Sequence, residues 1–172
     1  VKLHDMRSPV SEDFPSPDDV VGNIRKDLGG LVEVVLDGVG PDGWREVLVG
    51  LLQAGFDVQL TDAGRTLPVG TGTELLAGGE DSPYLASVRV GNQTWTSSVS
   101  EAHRIDFQCD AEDFRTRADV SEARVFMAVM SAAAGTACVL VPESAFPAQF
   151  RPYLVVQHRR DRELRGIGYD RP

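Results

Sequence analysis

Ser98, Ser100, His103, Asp106 and Cys109 lie close together in the chain, and they are the residue types from which a nucleophilic centre is built. A hydroxyl or thiol becomes reactive when an imidazole takes its proton and a carboxylate orients that imidazole. The surrounding pattern argues against such a centre. Ile105, Phe107 and Cys109 alternate with Arg104, Asp106, Gln108 and Asp110, which is the period of a half-exposed strand. Alternation turns Asp106 away from His103 and Cys109, and it leaves Cys109 as a small apolar residue beside Ile105 and Phe107. The enzymatic reading that survives is a small hydrolase or transferase. It would use His103 with nearby acids, in a cleft beside the loop from Gly64 to Thr73.

Two other chemistries can be weighed in the same way. Gly70-Thr71-Gly72-Thr73 offers backbone amides ahead of a short helical turn, the arrangement that binds anions, but the stretch lacks the lysine of a phosphate-binding P-loop. His4, His103 and His158 sit in three separate segments, and Cys109 and Cys138 are not spaced as a chelating pair, so no zinc site is expected. The acidic pairs Asp18-Asp19, Asp62 with Asp81, and Glu112-Asp113 have no calcium-loop spacing. Neither metal nor cofactor is expected.

Charge is the more informative signal. The 172 residues carry 17 basic and 26 acidic side chains, a net charge of -9, which opposes general binding to a phosphate backbone. Residues 1–80 hold 14 acids against 6 bases and residues 81–150 hold 9 against 5, whereas residues 151–172 hold 3 against 6. An acidic body of this kind attracts a basic protein and speeds its association. It also serves plain solubility, a reading that stands beside the first. No apolar run is long enough to span a bilayer, and Val1-Lys2-Leu3-His4-Asp5 lacks the regions of a signal peptide. A cytoplasmic location is expected. Lys2 and Lys26 are the only lysines among many arginines, alanines, valines and glycines, a usage typical of a GC-rich bacterial genome.

The elements that must carry these residues follow from periodicity and punctuation. Ser8 to Pro15 reads as an extended arm, and Ser16-Pro17-Asp18-Asp19 starts a helix whose apolar stripe is Val20, Val21, Ile24 and Leu28. Leu31 to Leu36 is an apolar run between glycines, expected as a buried strand. Trp44, Val47, Leu48, Leu51 and Leu52 recur with helical spacing and Gly55 ends that helix, after which Phe56, Val58 and Leu60 alternate. The two strands flanking this helix are expected to run parallel in one sheet. Asp62 to Ser82 reads as loop with one helical turn at most. Tyr84 to Val90 and Gln93 to Val99 flank Gly91-Asn92, a type II′ hairpin signal. Asp119, with Glu122 three residues on, is expected to cap a largely buried helix through Val125 to Ala134. Cys138 to Val141 and Tyr153 to Val156 read as strands, the second at an edge, and Gln157 to Arg165 as a solvated arginine-rich tail.

The expected fold is α+β, a mixed or mainly antiparallel sheet of five to six strands with two main helices on one face and an additional N-terminal helix. A ferredoxin-like plait is the nearest template. Residues 1–30 form the arm and short helix, 31–143 the core domain, and 144–172 the edge strand and tail. The leading expectation for function is a non-enzymatic bacterial protein-binding module, an immunity-type inhibitor or escort of a basic partner. A homo-oligomeric subunit paired through the Tyr153 to Val156 edge is a third reading. The expected contact surface is Trp95 with Arg104, Asp106, Gln108 and Asp110, continued by Glu112 and Asp113. For Trp95 two placements stay open: alone on an exposed sheet face among Thr94, Thr96 and Ser98, or turned into the core.

Overall fold

Alternating apolar and polar residues place several stretches of this chain in strands. The computed structural model describes residues 15–26, 30–39, 42–69, 84–99, 104–143 and 152–157. Among them eight strands form one sheet. They are β1 (Leu31–Asp37), β2 (Asp57–Asp62), β3 (Arg65–Leu67), β4 (Tyr84–Val90), β5 (Gln93–Ser98), β6 (Arg104–Asp110), β7 (Cys138–Pro142) and β8 (Leu154–Val156). Their order across the sheet is β3-β2-β4-β5-β6-β1-β7-β8, and every neighbouring pair is antiparallel. The sheet is therefore antiparallel and larger than the five to six strands expected. β1 and β2 do run in the same direction, as their helical crossover requires, but β6, β5 and β4 lie between them.

β3, which falls in the stretch from Asp62 to Ser82 read as loop, is missed because its turn is disguised. β2 and β3 are joined by Ala63-Gly64, with φ of 45° and 82°, so both central residues take the left-handed conformation of a type I′ turn. Asn-Gly or Asp-Gly announces such a turn; Ala-Gly does not. The β4–β5 hairpin behaves as its sequence suggests, with Gly91 alone at positive φ (56°), as type II′ asks. Along β5 and β6 the register is carried by one residue pair, Thr96 with Gln108, where β1 and β6 are paired from Leu31↔Asp110 to Asp37↔Arg104.

Helices α1 (Pro17–Lys26), α2 (Gly43–Gln53) and α3 (Arg117–Ala134) contribute to one core with the inward side chains of the sheet. α3 starts earlier than expected. Its N-cap is Thr116, not Asp119, and Asp119 occupies the third helical position of a capping box. Thr116-Arg117-Ala118-Asp119 satisfies both ends of that device. Gly135, at φ 69°, closes the helix. α1 begins with the analogous exchange between Ser16 and Asp19 and is tied to α3 where Arg117 donates two hydrogen bonds to Asp18.

The centre of the core is aromatic. Phe126 of α3 lies against Trp95, Phe107 and Phe56 with ring centroids 5.4, 5.7 and 5.9 Å away, and Trp95 also meets Phe114 edge-on at 6.0 Å. Tilted and edge-to-face contacts of this kind add about 0.5–1.5 kcal/mol per pair beyond simple burial. Gly50 of α2 lets that helix approach α3, since a Cβ there would stand 3.0 Å from the Ala133 methyl.

The local conformations lead to two expectations for stability. Ala63 in a left-handed conformation carries strain of about 1 kcal/mol, so Ala63→Asn is expected to raise the urea midpoint by a corresponding amount without altering the m-value. Burial pushes the Asp119 carboxyl up, but bonds from the Thr116 hydroxyl (2.9 Å) and the backbone N–H groups of Thr116 (2.7 Å) and Arg115 (3.0 Å), with the charge of Arg115, hold it below its ordinary 3.8. A carboxyl lowered in the folded state stabilises fully above its unfolded pKa and loses that contribution as pH falls through the folded value. Asp119→Asn is therefore expected to be less stable than the wild type at pH 7, with the gap narrowing as both are titrated in urea from about pH 5 to pH 2.

Candidate functional site

Because the helices gather on one face, each strand offers its alternate residues to the other. That second face carries no helix among the described residues. On β6 it presents Arg104, Asp106, Gln108 and Asp110, while Ile105, Phe107 and Cys109 enter the core. On β1 it presents Glu33, Val35 and Asp37, against core-facing Val32, Val34 and Leu36. Cross-strand register sets Glu33 opposite Gln108, Val35 opposite Asp106 and Asp37 opposite Arg104.

Among the described residues, four carboxylates are thus spread along this face of two adjacent strands with one guanidinium. Arg104 lies between two of them, with Nη1 4.0 Å from Asp37 and Nε 3.7 Å from Asp106. Both are loose contacts. The side chains of Arg104, Asp106 and Asp37 are 29%, 39% and 59% exposed, so solvent screens the pairs and each contributes at most about 1 kcal/mol. Glu33 differs from these. It is 6% exposed and accepts a hydrogen bond from Gln108 Nε2 at 2.7 Å on one oxygen. Val141 flanks it on the other side, and Val35 and Val141 are fully buried with Val139 packed against them. Elsewhere on the face charge is compensated, as where Asp57 of β2 stands opposite Arg89 of β4. Among the described residues, the uncompensated carboxylates of this face lie on β1 and β6.

The acidic strip continues past the end of β6. Asp110 Oδ1 accepts from the Glu112 backbone N–H at 2.8 Å and starts the short 3-10 turn Ala111–Asp113, on which the Glu112 side chain is exposed. Asp113 turns back, its Oδ2 3.8 Å from the Cys109 thiol. Arg104, Asp106, Gln108, Asp110 and Glu112 are therefore brought together along one line, Asp113 sits at its margin, and Trp95 does not belong to it. Trp95 is fully buried, its indole N–H donating to Gln93 Oε1 at 3.1 Å, so the placement of Trp95 as an exposed anchor is corrected. The polar partner inside the core and the rings of Phe114 and Phe126 explain the choice.

Sequence reasoning missed Glu33 and Asp37. Glu33 stands within the largely apolar run from Leu31 to Leu36 and Asp37 just beyond it, and the available signal was the lone charged residue at an alternate position of Leu31-Val32-Glu33-Val34. His103, Ser100, the loop from Gly70 to Thr73 and Asp81 lie outside the described residues, as do Ser8 to Phe14 and the arginines of the C-terminal segment. Leu154–Val156 forms β8 at the edge of the sheet, where the sequence suggests an edge strand. Among the described residues no group of three or more His, Cys, Asp or Glu side chains is placed to hold a metal ion, and no helix is long and apolar enough to cross a membrane. No family model, curated protein or solved structure matches the chain.

Neither cysteine has the environment of a nucleophile. Burial, then the negative charges of Asp113 and Asp110, pushes the Cys109 thiol up to about 12, and burial alone raises Cys138 further. The thiolate is the reactive form, so both are expected to be inert in the folded protein. Treatment with a disulfide reagent at pH 8 should modify neither thiol in buffer and both in guanidinium chloride; fast reaction of the native protein would contradict the buried placement.

Proposed function

We propose that this protein is a non-enzymatic binding module that recognises a basic protein partner through the β1–β6 half of the sheet face opposite the described helices. The observation that supports this reading is the local charge imbalance, in which, among the described residues of β1 and β6, Glu33, Asp37, Asp106 and Asp110 are set against Arg104. Side chains standing out from paired strands are already ordered by the sheet, so binding costs less conformational entropy than it would on a loop. A preorganised negative patch steers a cationic protein during encounter and fixes its orientation on docking. An inhibitor or escort of a basic protein in a bacterial cytoplasm, such as an immunity protein, uses a surface of this type. The fold belongs to the same proposal. The order β7-β1-β6, with α2 following β1 and α3 preceding β7, is read as the centre of a ferredoxin-like plait whose remaining strand has grown into a meander.

The test is a charge reversal at the middle of the strip. A fluorescently labelled hexa-arginine peptide is expected to bind the wild type at low ionic strength and to be released by salt. Asp106→Lys with Asp110→Lys is expected to weaken it at least about tenfold. Glu46→Lys with Asp57→Lys, which reverses two acids elsewhere, is expected to cost much less. Equal losses in the two double variants would reduce the effect to net charge and remove β6 from the interface.

A further inference from the structure

Within that proposed surface one residue does not fit the role of a contact. Among the described residues Arg104 is the single cation beside the β1–β6 carboxylates, and it comes from the same chain. Its guanidinium stands within 4.0 Å of Asp37 and 3.7 Å of Asp106, the two carboxylates on that face nearest the β6 N-terminal end. A partner's arginine approaching Asp106 meets this resident charge at close range, where two like charges repel.

We infer that Arg104 is an internal counter-ion that occupies part of the cation-recognising surface, and that an incoming guanidinium or ammonium group of the partner must displace it. The inference rests on the reading of this face as the partner-binding surface.

Two features support displacement. First, both pairs are long and partly exposed, so the geometry holds Arg104 loosely, unlike the close pairing of Arg117 with Asp18 between α3 and α1. Second, Arg104 opens β6, so its side chain can swing off the strand end without breaking a ladder that extends beyond it among the described residues.

The role has a consequence opposite in sign to that of an ordinary contact residue. Removing an arginine that touches the partner weakens binding, whereas removing one that competes with the partner strengthens it. Arg104→Gln is expected to bind the hexa-arginine peptide about threefold more tightly than the wild type, the range an exposed ion pair spans. Arg104→Lys, which keeps the charge, is expected to match the wild type. Arg45→Gln removes an arginine paired to Asp42 at 3.8 Å on α2 and serves as the control for net charge. Tighter binding by Arg104→Gln alone supports the inference. Unchanged or weaker binding by Arg104→Gln overturns it, and so does an equal gain in Arg45→Gln. Should Asp106→Lys with Asp110→Lys still weaken binding in that case, the surface stands and only the counter-ion role falls. If that double variant binds like the wild type, the surface itself is wrong and the role of Arg104 falls with it.

Discussion

The contact of Phe126 with Trp95, Phe107 and Phe56 decides which side of the sheet is covered. It brings α3 down across β5 and β6, and the Thr116–Asp119 capping box begins the helix at the place where those rings can meet. Once Phe107 is committed to that side, strand alternation commits Asp106 and Gln108 to the other. The acidic strip is therefore a by-product of aromatic packing in the sense that no residue of the strip has to be positioned independently. A one-residue slip of β6 against β1 would bury Asp106 and expose Phe107, and the hydrophobic penalty for that slip protects the polar face from disorder.

Much of this arrangement is legible along the chain. The alternation of Ile105, Phe107 and Cys109 with charged residues reveals β6 and its two sides, and Gly91-Asn92 reveals the hairpin that precedes it. What is not legible depends on tertiary context. The Ala63-Gly64 turn has a conformation that alanine rarely adopts, so the pairing of β3 with β2 must enforce it. Thr116 caps α3 although Asp119 and Glu122 offer an equally plausible start three residues later. The strand order places β1 beside β6 and β7, and nothing within β1 specifies those neighbours.

The same reasoning explains the uneven recovery of the strip. Arg104, Asp106, Gln108 and Asp110 follow from local alternation and need no knowledge of the fold. Glu33 and Asp37 join them only because β1 is the neighbour of β6, a long-range fact. Trp95 shows a different limit: its flanking threonines and serines leave both placements open, and its alternate neighbours Gln93 and Ser97 are buried with it. Gln93 resolves the apparent conflict by accepting from the indole and donating to the Asp119 backbone carbonyl at 3.2 Å, which satisfies polar groups within the core.

The sparse pairing of β5 with β6 has a mechanical meaning. The ladders on either side of that junction run the length of their strands, whereas Thr96 and Gln108 alone register it. The sheet is thus two panels joined along a seam, with the meander β3-β2-β4-β5 on one side and β6-β1-β7-β8 on the other. α3 acts as the splint across it, because Phe126 touches Trp95 in one panel and Phe107 in the other. A line registered by one residue pair and bridged by one helix resists bending less than β1, the strand paired along both flanks.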